Sequence, residues 1–291
     1  MDKEIYIITI LNIVILSIII VLLLIYLLLI ILVRRFHTAT NILIGGFAVS
    51  GIICCGFWVM NNLVLLINPT AQFESTSLCI FIESLPTLVN SLVVYCLIVI
   101  TINQFFAVIY PKNRFFRKKT CSLISLVIHW IVTIILSIPE FVATNQECIN
   151  HSSSPEWLLI YRLVIIVIFP SILKVTLNSI ILLNVRSSTR RVNAGAKATA
   201  SSMANTKRLH ARDTYLLKHM LFLFVIFIIG WGPVYIVQVN NLIDTAPFWV
   251  GLALQVLPAI SSLVTVIDIF IYNRDLRHYL KEQCMKCLQA N

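Results

Sequence analysis

Charge is what this 291-residue chain has least of: 12% of its residues are Asp, Glu, Lys or Arg, against 59% hydrophobic. So few polar side chains cannot coat a water-soluble particle of this length, which excludes a soluble globular protein and places the chain in lipid. Glycine is also scarce, eight scattered residues, and no Gly-x-x-x-x-Gly-Lys run is present to cradle a phosphate. Neither His-Glu-x-x-His nor Gly-x-Ser-x-Gly occurs, so the chain reads as a non-enzyme without cofactor or metal. Internal repeats are missing too, which disfavours a transporter built from inverted halves.

What is present is a series of uncharged stretches at 5–33, 41–73, 84–111, 120–139, 220–243 and 245–267. Each is long enough to cross a hydrocarbon core of about 30 Å at about 1.5 Å per helical residue. A seventh, 157–185, contains only Arg162 and Lys174 as charges. The runs are continuous rather than alternating, so they predict helices and not a barrel. The expected fold is an all-α membrane protein, a single domain over 1–291 forming a seven-transmembrane helix bundle. Its spans fall at about 5–33, 41–67, 79–110, 120–143, 157–186, 214–243 and 247–272.

Of the 22 Lys and Arg, 19 follow spans one, three, five and seven, whereas the alternate loops hold Glu74, Glu147, Glu156 and Asp244 but no basic residue. The asymmetry predicts an N-terminus outside and a basic cytoplasmic face. The net charge of +10 is then a topological signal, and no nucleic-acid partner is expected. Span one, with 29 uncharged residues, is too long for a signal-peptide core, and the few residues ahead of it predict no folded outer domain.

Two loops stand out. An outer loop at 144–156 carries Cys148 and the sequon Asn150-His151-Ser152, a glycosylation acceptor if it faces the lumen. An inner loop at 187–213, rich in Ser, Thr, Ala and Arg, should be solvated. A short amphipathic helix at about 273–287 sets Leu276, Tyr279, Leu280 and Met285 near one face, suited to lying on the inner leaflet. Cys79, at the mouth of span three, and Cys148 are best placed for an oxidising compartment and are expected to pair. Cys284 and Cys287 make one C-x-x-C, too few ligands for zinc and better suited to palmitoylation.

The order of particular residues on these spans resembles the rhodopsin-like (class A) G-protein-coupled receptors. Cys79 lies 25 residues before Gln104, the spacing between that family's span-three cysteine and the arginine of its Asp-Arg-Tyr motif, and 107–111 is similar to the family's continuation. Trp130 and Pro170 are similar to the family's span-four tryptophan and span-five proline. Phe227, Trp231 and Pro233 fit the Phe-x-x-Cys-Trp-x-Pro pattern of span six apart from its cysteine, and Asp268 to Tyr272 resembles Asn-Pro-x-x-Tyr. The resemblance implies a multi-pass plasma-membrane receptor for an extracellular peptide or small-molecule ligand, partnered by a heterotrimeric G protein. It also implies a switch in which span six hinges at Pro233.

Departures are as informative. Asn103, Gln104 and Phe105 stand where the family contacts the G protein through Asp-Arg-Tyr, so an alternative is a decoy or scaffold that binds without activating. Gly51 occupies the place of the family's sodium-coordinating aspartate, Ile269 that of the proline of span seven, and Asn178 that of a span-five tyrosine. Asp268 suggests a polar cavity among spans two, three and seven. Lys174 is expected to snorkel toward the inner face. Ligand-pocket candidates are Glu83, Thr87, Asn90, Arg162, Asn240 and Asn241; Pro86, where amine receptors have aspartate, disfavours a monoamine. The acidic outer face favours a basic ligand, and Arg162 favours an acidic one.

Overall fold

The computed structural model describes residues 3–67, 76–110, 118–150, 155–195, 222–239 and 248–289. Among these, all regular structure is helical, and seven helices are long and apolar enough to cross a membrane. Spans one to four are Lys3–Leu32, Ala39–Ile67, Thr76–Ile109 and Lys119–Asn150. Span five joins Glu156–Leu163, a π-helical turn at Val164–Ile168, and Phe169–Gly195. Span six is Phe222–Val239 and span seven Phe248–Tyr272, followed by a terminal helix, Arg274–Gln289.

Lipid offers no hydrogen bonds to the backbone and no hydrophobic drive for helices to associate, so packing rests on buried polar groups and close contacts. Span four shows this by its sidedness. Ile124, Ile128, Ile131, Ile135, Ile138 and Val142, at steps of three and four, are all more than half exposed. Ser122, His129, Thr133, Ser137, Glu140 and Thr144 form the opposite, buried face. The helix is thus apolar outward and polar inward, the reverse of a helix on a soluble domain. His129 Nε2 lies 2.9 Å from the Leu92 carbonyl on span three. Thr133 and Ser137 satisfy their hydroxyls on the preceding turn, at 2.8 and 2.9 Å.

Both of the expected loops need correction. The outer loop expected at 144–156 is helical through Asn150, because Thr144 and Cys148 are buried against the bundle and Cys148 is bonded to Cys79. The inner loop expected from 187 does not begin there, since 187–195 continues span five; 196–221 lie outside the described residues. Span five is not uniformly α-helical. Pro170 has no N–H and its ring clashes with the carbonyl four residues earlier, and the π turn widens the helix on its N-terminal side. Pro86, Pro139 and Pro258 sit inside unbroken helices.

At the end of the bundle away from the disulfide, a polar clasp joins three elements. Asn273 Nδ2 donates to Tyr26 Oη at 2.9 Å and to Asn41 Oδ1 at 3.2 Å. Asn273 Oδ1 accepts from the Leu276 N–H at 3.1 Å, capping the terminal helix. Leu276 is buried with Tyr26 and Phe36, and Tyr279 meets Phe36 edge-on at 5.6 Å. The apolar face of this helix therefore docks partly on the bundle, not wholly on a leaflet; Met285 is exposed.

Candidate functional site

A cavity of about 590 Å3 opens among the helices in the half of the bundle that carries the disulfide. On span three, Glu83, Thr87 and Asn90 follow one another at steps of four and three, so one helical face presents all three to it. Span five contributes Arg162, span six Trp231, Tyr235 and Gln238, and span seven Gln255 and Ser262. Spans one and two, which the sequence did not single out for the pocket, add Asn12, Trp58 and Asn62. Asp268, from which a polar cavity among spans two, three and seven was expected, is half-buried further along span seven and is not in this wall.

Asn90 is the hub of the polar wall. Its Oδ1 accepts from Trp58 Nε1 at 3.0 Å and from Cys54 Sγ at 3.5 Å, and its Nδ2 donates to Tyr235 Oη at 3.2 Å. One amide therefore ties spans two, three and six together across the cavity. Asn90→Leu should cost about 1–3 kcal/mol, because the Trp58 indole N–H loses its acceptor in a buried wall. The check is thermal unfolding of the detergent-purified protein, where a change within error of wild type would dismiss the hub.

Arg162 is not free to meet an acidic ligand, as its charge alone suggested. Its Nε donates to Glu140 Oε1 at 2.8 Å and its terminal nitrogen reaches the same oxygen, with Glu140 wholly buried. Glu83 acts electrostatically on the same guanidinium. Two carboxylates thus act on the one guanidinium, Glu83 from the cavity wall and Glu140 from outside it. Glu140 was missed in the sequence; the signal was a carboxylate just inside the fourth span facing an arginine in the fifth, two charges that lipid makes costly apart.

Trp231 lines the cavity and stacks on Tyr235 at 6.4 Å. Phe227, one turn further from the cavity, belongs to the same apolar cluster, with Tyr95, Ile98 and the Ile165–Val167 turn next to Pro170. Pro233 lies between Trp231 and Tyr235 on a helix that stays continuous. Lys174 does not snorkel: it is 4% exposed, with Nζ 5.1 Å from the Phe227 ring centroid, because its face of span five turns into the bundle.

Asn103, Gln104 and Phe105 are part-buried near the far end of span three, and Gln104 Oε1 has no hydrogen-bond partner. At Gly51 a Cβ would come within 2.7 Å of Leu23 Cδ1, so span one fills the space that an acid there would need. Cys79 and Cys148 are bonded, their Cα atoms 6.0 Å apart, joining spans three and four beside the cavity. Asn240, Asn241, His151 and Ser152 lie outside the described residues, as do the side chains of Asn150, Tyr272, Leu280, Cys284 and Cys287.

Seven membrane-length helices around a polar cavity, braced by a disulfide at one end, define a helical membrane protein built to hold something within its bundle. Residues 22–272 match the family described as 7 transmembrane receptor (rhodopsin family), and the chain belongs to that family. It is therefore a signalling receptor of the G-protein-coupled kind and not an enzyme, and a multi-pass protein of the plasma membrane. Members of this family respond to extracellular ligands and work with G proteins.

Proposed function

We propose that this receptor takes an extracellular peptide or small molecule, other than a monoamine, into the cavity and transmits its binding to a G protein at the Gln104 end. The observation that carries the reading is the continuity from Asn90 and Tyr235 through Trp231 to Phe227, which links the cavity wall to the apolar cluster beneath it. A ligand that prefers one placement of Trp231 shifts the population of span-six positions by its differential affinity. The Cys79–Cys148 end faces outward in this reading, in keeping with the basic loops at the other end. Glu83 in the cavity wall favours a ligand bearing a cation.

Ligand-free nucleotide exchange on a panel of G proteins tests it, with wild-type, Gln104→Arg and empty membranes compared at matched surface expression. Exchange by wild type above empty membranes is the expected result. Exchange by Gln104→Arg alone supports the second reading, a receptor that binds without activating, which the neutral Gln104 and Asn103 favour.

A further inference from the structure

Lys174 is almost wholly buried in the bundle. Among the described residues no carboxylate or hydrogen-bond acceptor meets its Nζ, and its one partner is the face of Phe227. A ring face offers far less than the water such a group gives up on entering a bundle. At i−3 and i+4 on the same side of span five stand Ser171 and Asn178. Ser171 Oγ and Asn178 Oδ1 are buried with no hydrogen-bond partner, and so is Gln104 Oε1 on span three, which packs on span five. The ring over Lys174 belongs to span six, six residues before Pro233.

We infer that Lys174 is a positioning residue that loads the arrangement seen here against itself. When the Phe227 half of span six moves away, the lysine donates to Asn178 Oδ1 and Gln104 Oε1, and both oxygens gain a donor they now lack. Opening is favoured by that difference. The inference rests on span six as the moving element of the proposed switch. Its rival is a lysine that pins Phe227 in place, and the two predict opposite signs.

Pulsed dipolar spectroscopy on the full chain in lipid nanodiscs decides between them. Spin labels are attached at Phe222→Cys and Ile124→Cys, both lipid-exposed, in a background of Cys121→Ser, Cys284→Ser and Cys287→Ser. Lys174→Met, which keeps length and removes the donor, should lower the ratio of long to short separations about fivefold and raise the melting temperature by about 2–4 °C. Gln104→Leu and Asn178→Leu should also lower the ratio, and should have no further effect in the Lys174→Met background.

A higher ratio or lower melting temperature in Lys174→Met overturns the inference, as do additive effects of the acceptor changes or a wild type showing only the short separation. Should Lys174→Met not fold, unchanged ratios in the two leucine variants overturn it. Neither readout needs a ligand or a G protein. Silent nucleotide exchange would thus count against the receptor reading and leave this inference standing.

Discussion

Arg162→Met is expected to destabilise the receptor by about 3–5 kcal/mol, the cost of leaving a buried carboxylate without its cation. Glu140 is wholly buried, and the guanidinium that faces it is largely so, so solvent screens the pair little. Thermal unfolding of detergent-purified protein, with surface expression as a second readout, measures the loss. The double change Glu140→Leu/Arg162→Met should recover most of it, since removing both charges removes the desolvation as well as the attraction. A double variant as unstable as Arg162→Met would mean that the arginine acts through packing or another partner and not through this pair.

Gly230→Val should cost about 3 kcal/mol by forcing spans six and seven apart. A Cβ at Gly230 would fall on the Cβ and Oγ of Ser261 and 3.3 Å from the Leu257 carbonyl oxygen. The approach is fixed by a hydrogen bond, since Ser261 Oγ donates to the Ile226 carbonyl at 3.0 Å. Backbones come this close only where one residue has no side chain. Gly230→Ala combined with Ser261→Gly should then be more stable than Gly230→Ala alone, as the same unfolding measurement reports. Equal stabilities would show that the two helices slide to make room.

The spans were legible because hydrophobic length is a one-dimensional property: 5–33 was expected and Lys3–Leu32 is helical, 247–272 was expected and Phe248–Tyr272 is helical. Part of the pocket was legible through the family resemblance, which implies a ligand between the outer halves of spans three, five, six and seven. Glu83, Thr87 and Asn90 were candidates on that ground, and all three line the cavity. Asn12 and Trp58 were not, because nothing along spans one and two says how deeply they lean into the bundle. The fate of each intramembrane charge was equally hidden. Arg162 was read as a group awaiting a ligand and Lys174 as one reaching for water, yet the first faces Glu140 and the second lies on Phe227.

By itself the sequence determined that this is a seven-helix membrane protein, because few charges and long apolar runs permit nothing else in lipid. It also carried the order of residues by which the family is known. Only the tertiary structure decided which polar side chains satisfy one another. Span four turns its serines, threonines and Glu140 inward, Asn90 gathers Trp58 and Tyr235, and Asn273 gathers Tyr26 and Asn41. The physical reason is that a buried hydrogen bond or ion pair depends on separations of a few ångströms between helices, and those follow from how the helices pack.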